Sequence, residues 1–113
     1  MLSQETLQSL IGYIDDLNNR YPEILEKEVT DNEKIMVNNL AFWEESWEFN
    51  DQILRKLWFA FNKNKRNNFK QEDLEDEAAD TLICLIMLIR SLWITDMNEM
   101  IKRKIEKNNK RWY

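Results

Sequence analysis

The sequence predicts an all-α protein, a single domain of residues 1–113 folded as a four- to five-helix bundle. One Gly and one Pro in 113 residues leave few turns, which favours long helices. Apolar residues recur at intervals of three and four in several segments, and we find no strand-like alternation. A hydrophobic content of 43%, with five Trp and five Phe, indicates a packed core rather than a disordered chain.

Capping residues mark where the first two helices begin. Ser3 is placed to cap a first helix that runs to about Asn19. Residues 30–33 have the pattern of a capping box and open a second helix. That helix either continues past Phe49 or breaks near Asn50 and restarts.

Two further helices are predicted in the second half of the chain. The third begins near Gln71 and runs to about Trp93, and Asp96 is the predicted N-cap of the last. Residues 62–68 are expected to form a solvated loop, because Asn, Lys and Arg alternate there. Residues 23–29 are expected to be an irregular link.

The third helix is apolar on almost every side from Ala78 to Ile89, so we expect it to be buried. A small bundle has difficulty covering every side of such a helix, which predicts a homodimer or a dimer-of-dimers tetramer. From Ala78 to Ile94 the helix is too short for a membrane span, and Asp80 and Arg90 interrupt it, so no membrane partner is expected.

Several classes of protein are excluded by what the chain lacks. There is no His, which removes His-dependent catalysis and His-ligated metals, and a single Gly excludes the glycine-rich phosphate loops. One Cys excludes an internal disulfide, and Cys84 is expected to be a small core residue in a cytoplasmic protein. The net charge of −5 argues against nucleic acid as a partner.

Two pairs of carboxylates stand three residues apart, where both members share one face of a helix. The pairs are Glu45 with Glu48 and Glu77 with Asp80. If the two helices face each other, four negative charges meet, and they require cations. Hard oxygen ligands select Mg²⁺, Mn²⁺ or Ca²⁺, and we expect Mg²⁺, with Mn²⁺ as a substitute. The alternative is a set of surface acids paired with Lys and Arg.

Some of these acids lie on the apolar face of the second helix, so we expect them to point toward the core. Its members are Met36, Val37, Leu40, Ala41, Trp43 and Trp47. Glu44 and Glu48 fall inside this arc and Glu45 falls on its edge.

The last helix places polar residues on the line of its apolar stripe. Lys104, Asn108 and Arg111 continue the stripe of Met97 and its neighbours, so we expect them to point toward the core. Two cations and an amide beside an acidic, metal-bearing site would suit a polyphosphate. The alternative is a basic end whose long side chains extend to solvent.

These motifs resemble those of a known superfamily. Residues 44–48, Glu-Glu-Ser-Trp-Glu, resemble the EExxE signature of the all-α nucleoside triphosphate pyrophosphohydrolases, and residues 77–80, Glu-Ala-Ala-Asp, resemble the ExxD signature. Residues 104–111 resemble the closing Lys/Asn/Arg segment. The chain is therefore similar, over roughly residues 33–113, to the MazG-like enzymes and their relatives, the dimeric dUTPases and dCTP pyrophosphatases.

The resemblance implies an activity and a set of roles. The family converts (d)NTP and water to (d)NMP and pyrophosphate with Mg²⁺. The matching metal positions are Glu45, Glu48, Glu77 and Asp80, and the matching phosphate-side positions are Lys104, Asn108 and Arg111. For the general base, Glu48 is the first choice and Glu44 the second.

Some aromatic rings could stack on a nucleobase, although core packing is the alternative for each of them. The candidates are Trp43, Trp47, Trp58, Phe59 and Phe61. Of these, Trp58 and Trp47 are the predicted nucleobase-binding residues. Residues 57–63 resemble the aromatic-Lys stretch of dimeric dUTPases, which points to uracil. The alternative function is that of a small helical scaffold, with no catalysis, whose acidic face binds a basic partner.

Overall fold

Local capping chemistry sets the beginnings of the helices in the computed structural model, which describes residues 3–20, 23, 28–61 and 69–112. Within these ranges the protein has four helices and no strand. They are α1 (Gln4–Asn19), α2 (Asp31–Phe61), α3 (Gln71–Ser91) and α4 (Met97–Trp112). The all-α prediction is confirmed, whereas most of the predicted link 23–29 and the loop 62–68 lie outside the described residues.

All three predicted caps are present. The Ser3 hydroxyl accepts a hydrogen bond from the backbone N–H of Thr6 at 3.1 Å. The Thr30 hydroxyl accepts from the N–H of Glu33 at 3.2 Å, while the carboxylate of Glu33 accepts from the N–H of Thr30 at 3.4 Å. Asp96 Oδ1 accepts from the N–H of Glu99 at 2.9 Å. Each cap satisfies backbone donors that have no partner within the helix.

Helices α2 and α3 form a long antiparallel hairpin. Lys56 Nζ donates to Gln71 Oε1 at 3.1 Å, and further along the Thr81 hydroxyl donates to the carbonyl of Glu45 at 3.1 Å. Helix α2 continues through Asn50 without a break, so the first of the two predicted alternatives is confirmed.

Helix α1 packs across the C-terminal half of α3. Ile14 is completely buried there, beside Ile86 and Met87. Both carboxylate oxygens of Asp15 accept hydrogen bonds from the guanidinium of Arg90, at 2.7 and 2.8 Å. Such a two-point ion pair fixes the orientation of α1 on α3 as well as its position.

Helix α4 extends away from this core. Met97 packs against the core, but the side chains from residue 101 to residue 107 are all exposed, and α4 makes only marginal contact with the other helices. The radius of gyration is 17.6 Å, against about 13 Å for a compact chain of 100 residues. The fold is therefore open, with principal extents of 51 × 49 × 26 Å.

The structure corrects two predictions about burial. The apolar face of α2 divides in two: Val37 and Ala41 are half-buried, while Trp43 and Trp47 are exposed. Helix α3 is not buried on all sides, since Leu82 is exposed. The physical reason is that α3 covers only one side of α2. In turn, α2 and α1 together cover only part of α3. Among the described residues, none of the four helices combines the length and the hydrophobicity that a membrane span needs.

The end of α3 stores backbone strain at Trp93. The helix ends at Ser91, two residues before the predicted end, and Trp93 follows with a φ of 67°. This left-handed conformation costs a residue with a Cβ atom about 1 kcal/mol, and glycine adopts it freely. The Trp93 side chain is 73% exposed, so little core contact offsets that cost.

We therefore expect Trp93→Gly to raise the free energy of unfolding by about 1 kcal/mol. Urea unfolding at one protein concentration measures it. Leu92→Gly is the matched control, because Leu92 has a φ of −90° that needs no glycine. A lower stability of Trp93→Gly than of the parent would contradict this account.

Candidate metal centre

Three carboxylates from two helices meet in the middle of the α2–α3 hairpin. Glu45 and Glu48 come from α2 and Glu77 from α3, and one carboxylate oxygen of each lies within 4.8 Å of the other two. The acidic cluster, as we call these three residues, contains three of the four predicted metal ligands. The fourth, Asp80, is exposed one turn beyond Glu77, where its charge acts on Glu45 and Glu77.

The Thr81 hydroxyl links α3 to α2 by a hydrogen bond beside the acidic cluster. Thr81 Oγ1 lies 3.1 Å from the carbonyl oxygen of Glu45 and 2.8 Å from that of Glu77, and it donates toward both. Sequence reasoning gave Thr81 no role. The sequence feature that could have indicated a role is a polar side chain four residues after Glu77 in an otherwise apolar stretch. It fixes the backbone from which two of the three acids project.

Two oxygens of the acidic cluster are buried without a hydrogen-bond partner. They are Oε2 of Glu45 and Oε2 of Glu77. A buried carboxylate oxygen with no partner is costly, and either a proton or a bound cation would reduce that cost. A set of ligands made only of carboxylate oxygens fits Mg²⁺, Mn²⁺ or Ca²⁺. The residues present therefore fit the predicted metal.

Burial and nearby negative charges raise the pKa of two members of the acidic cluster, Glu45 and Glu77. Burial, followed by the charge of Glu48, raises the pKa of Glu45 from 4.5 to about 7. Burial also raises the pKa of Glu77, with Glu48 and Asp80 adding to the shift. Near neutral pH, Glu45 is thus close to the midpoint of its titration, and a bound cation would displace the proton.

The raised pKa of Glu45 predicts a pH-dependent stability in the absence of metal. Because the pKa is about 7 in the folded state against an ordinary value of 4.5, the folded protein keeps a proton that the unfolded chain releases. The free energy of unfolding should therefore fall as the pH rises from about 5 to 8. Urea unfolding in chelator measures the profile. Glu45→Gln should flatten it, and an unchanged slope in this variant would contradict the assignment.

Glu44, the second candidate base, is on the outer side of α2. It was expected inside an inward arc with Glu48, but both are exposed and Glu45 is the half-buried member. The reason is that α3 packs along the line of Val37, Ala41 and Glu45, so the residue predicted at the edge of the arc faces inward.

The basic residues of α4 are not brought to the acidic cluster within one chain. Lys104 and Arg111 are exposed and Asn108 is half-buried. Lys104 lines a groove along α4 itself, with Ile101 among its neighbours. No ion pair of the described residues joins α4 to the acidic cluster. The expectation that these residues point toward the core is wrong for Lys104 and Arg111 in an isolated chain, whereas Asn108 is half-buried.

The aromatic candidates are distributed along α2. Trp47 is 70% exposed, and together with Trp43, Ser46 and Asn50 it lines a shallow hollow of about 260 Å³. Trp58 is half exposed, nearer the end of α2. The side chains of Phe59 and Phe61 lie outside the described part of the structure.

Cys84 lies one turn beyond Asp80 on the same side of α3. Burial, and after it the charges of Glu45, Asp80 and Glu44, raise the pKa of the thiol. The thiol therefore stays protonated and serves as a half-buried packing group, not as a nucleophile.

Comparison with known proteins does not extend these observations, since no family model, curated protein or solved structure matches the chain. The resemblance to the pyrophosphohydrolases thus stays a prediction from the two acidic signatures. The acidic cluster has to be interpreted from its own chemistry.

Proposed function

We propose that the protein is a Mg²⁺-dependent nucleoside triphosphate pyrophosphohydrolase that converts (d)NTP and water to (d)NMP and pyrophosphate. The observation that carries the proposal is the acidic cluster, with carboxylate oxygens of three residues within 4.8 Å and two buried oxygens that lack partners. A site made only of acids suits a divalent cation, and a polyphosphate is the kind of substrate that such a cation recruits. The EExxE- and ExxD-like signatures favour this reaction over other phosphate chemistry.

The chain's own residues have separate tasks in this proposal. Glu45, Glu77 and Glu48 hold the cation, and Asp80 completes the set from the exposed side. When bound, Mg²⁺ neutralises phosphate charge and lowers the pKa of a bound water. Glu48 is exposed enough to accept the proton from the attacking water, and Glu44 is the second candidate for that task.

The nucleotide and the assembly also belong to the proposal. Trp47, together with Trp43, offers an exposed aromatic surface on the helix that carries Glu45 and Glu48, which suits a nucleobase. Uracil is the favoured base, from the resemblance to dimeric dUTPases. The protein is proposed to act in the cytoplasm as a homodimer or a dimer of dimers.

A product assay tests this function. Incubation with Mg²⁺ and a panel of (d)NTPs should release nucleoside monophosphate and pyrophosphate in equal amounts, measured by chromatography and ³¹P NMR. Glu77→Gln, which removes one ligand with little change of shape, should be inactive. Release of orthophosphate and a nucleoside diphosphate would contradict the proposal.

A helical scaffold that binds a basic partner is the second candidate, and the exposure of Glu44, Glu48 and Asp80 favours it. The two functions differ in their response to metal. A ligand that binds only the folded state stabilises it by RT ln(1 + [L]/Kd), so Mg²⁺ should raise the melting temperature of an enzyme of this kind. No shift at millimolar Mg²⁺ would favour the scaffold.

A further inference from the structure

A polar cavity lies where the end of α1, the beginning of α2 and the end of α3 meet. Its volume is about 390 Å³, which is within the range of pockets that bind small molecules. Charged, amide and aromatic side chains line it, among them Asp15, Asn18, Asp31, Lys34, Arg90 and Trp93. We call this space the corner cavity.

The corner cavity is separate from the acidic cluster. Lys34 precedes Glu45 by roughly 16 Å along α2, at 1.5 Å per residue. Arg90 follows Glu77 by roughly 20 Å along α3. A small ligand in the corner cavity therefore makes no contact with the acidic cluster.

Two opposite charges on the wall of the corner cavity lack a partner. Arg90 and Asp15 satisfy each other, with hydrogen bonds of 2.7 and 2.8 Å. Asp31 and Lys34 stand three residues apart on one face of α2, and no ion pair between described residues includes either of them. Lys34 is half-buried, where an ammonium group without a partner is costly. The cavity thus offers one carboxylate and one ammonium group to a ligand.

The strained residue Trp93 also lines the corner cavity. Its φ is 67° and its side chain is 73% exposed, so core packing does not explain the strained backbone. Strain of this kind is concentrated at binding sites, where the surrounding structure maintains it. The indole ring gives the cavity a flat apolar surface on which an aromatic or aliphatic group can pack.

The amide of Asn18 is fixed at the cavity by a neighbour. Asn18 Oδ1 accepts a hydrogen bond of 3.1 Å from Nδ2 of Asn38, whose side chain is almost completely buried. Because this bond engages the amide oxygen, Asn18 offers its N–H donors to a ligand. Such donors suit a carboxylate, as does the ammonium group of Lys34.

We propose that the corner cavity binds a free α-amino acid with an aromatic or large apolar side chain. Lys34 and Asn18 donate hydrogen bonds to its carboxylate, and Asp31 accepts one from its ammonium group. The side chain of the ligand packs on the indole of Trp93. A sugar or a nucleoside carries no such pair of opposite charges, and an inorganic anion matches Lys34 but not Asp31. This inference does not depend on the proposed function, since none of these residues belongs to the acidic cluster.

NMR of the tryptophan side chains tests the binding of an amino acid at this place. Protein labelled with ¹⁵N-tryptophan has five indole N–H groups, and Trp93→Phe identifies the signal of Trp93. Each standard amino acid is added up to millimolar concentrations. We expect L-phenylalanine to shift the Trp93 signal along a saturable curve. No shift of that signal with any of the amino acids would overturn the proposal.

Two derivatives of the ligand test the role of its charges without changing the protein. The methyl ester of L-phenylalanine lacks the carboxylate charge, and N-acetyl-L-phenylalanine lacks the ammonium charge. Each should bind at least about tenfold more weakly than the free amino acid, because one charged group of the cavity loses its partner. Equal binding of the three compounds would contradict the recognition of a zwitterion.

Charge-removing variants identify the residues that bind the ligand. Lys34→Gln and Asp31→Asn should each weaken binding of L-phenylalanine by about tenfold or more in isothermal titration calorimetry. Lys102→Gln is the matched control, because it makes the same change on an exposed part of α4 and should bind as the parent does. Parent-like binding by Lys34→Gln would overturn the proposal.

Trp93→Gly separates ligand binding from folding. The variant is expected to be more stable than the parent, and yet it should lose measurable binding of L-phenylalanine, because the indole surface is gone. The same calorimetric titration and urea unfolding measure the two effects. A Trp93→Gly variant that binds L-phenylalanine as tightly as the parent would overturn the proposed role of Trp93.

Discussion

Asp80→Asn is expected to abolish nucleotide hydrolysis while leaving the metal-free protein at least as stable as the parent. Without metal, the charge of Asp80 acts against Glu45 and Glu77. Like charges in a partly desolvated site repel each other, although water and counter-ions reduce this repulsion. Removing one charge therefore relieves repulsion, while hydrolysis should fall by about 10²-fold or more and the Mg²⁺-induced melting shift should disappear.

A structural role for Asp80 predicts the opposite sign. Melting in chelator, together with hydrolysis rates, distinguishes the two cases. Asp76→Asn is the matched control, because Asp76 is an exposed acid on the same helix and should tolerate the change in both assays. A clearly lower melting temperature of Asp80→Asn in chelator, or turnover at the parent rate, would contradict the account.

The largest loss of stability is expected from Ile14→Ala. Ile14 is completely buried between α1 and α3, in a core that contains two other buried apolar residues, Ile86 and Met87, among those described. Truncation of such a residue leaves a cavity and costs about 2–5 kcal/mol. Urea unfolding measures the change, and Ile11→Ala, at a half-buried position of the same helix, should cost clearly less. Equal costs at the two positions would mean that α1 does not pack on α3 as described.

The local features of the fold could be predicted because their causes are local. A cap such as Ser3 or Asp96 depends on a hydrogen bond to a backbone N–H three residues away, so the sequence alone contains the information. The shared face of Glu45 and Glu48 follows from the same kind of short-range spacing, whereas their meeting with Glu77 was predicted only on the condition that the two helices face each other. The continuity of α2 through Asn50 was left open, because an Asn inside a helix neither favours nor forbids a break strongly.

The direction of each helix face could not be predicted, because it depends on which helix packs alongside. Periodicity identified an apolar arc on α2 but not the division between Ala41, which is half-buried, and Trp43, which is exposed. For the same reason Glu45, at the edge of the arc, is the half-buried acid of this helix. Lys104 continues an apolar stripe, which indicates a surface that packs, but periodicity does not say whether the partner is the same chain.

Direct titration with Mn²⁺, followed by electron paramagnetic resonance, tests the central claim that the acidic cluster binds a divalent cation. The parent should remove Mn²⁺ from solution at submillimolar concentrations, Glu77→Gln should weaken binding by about tenfold or more, and Asp76→Asn should bind as the parent does. An undiminished signal of free Mn²⁺ in the presence of millimolar protein, or equal binding by Glu77→Gln and the parent, would contradict it.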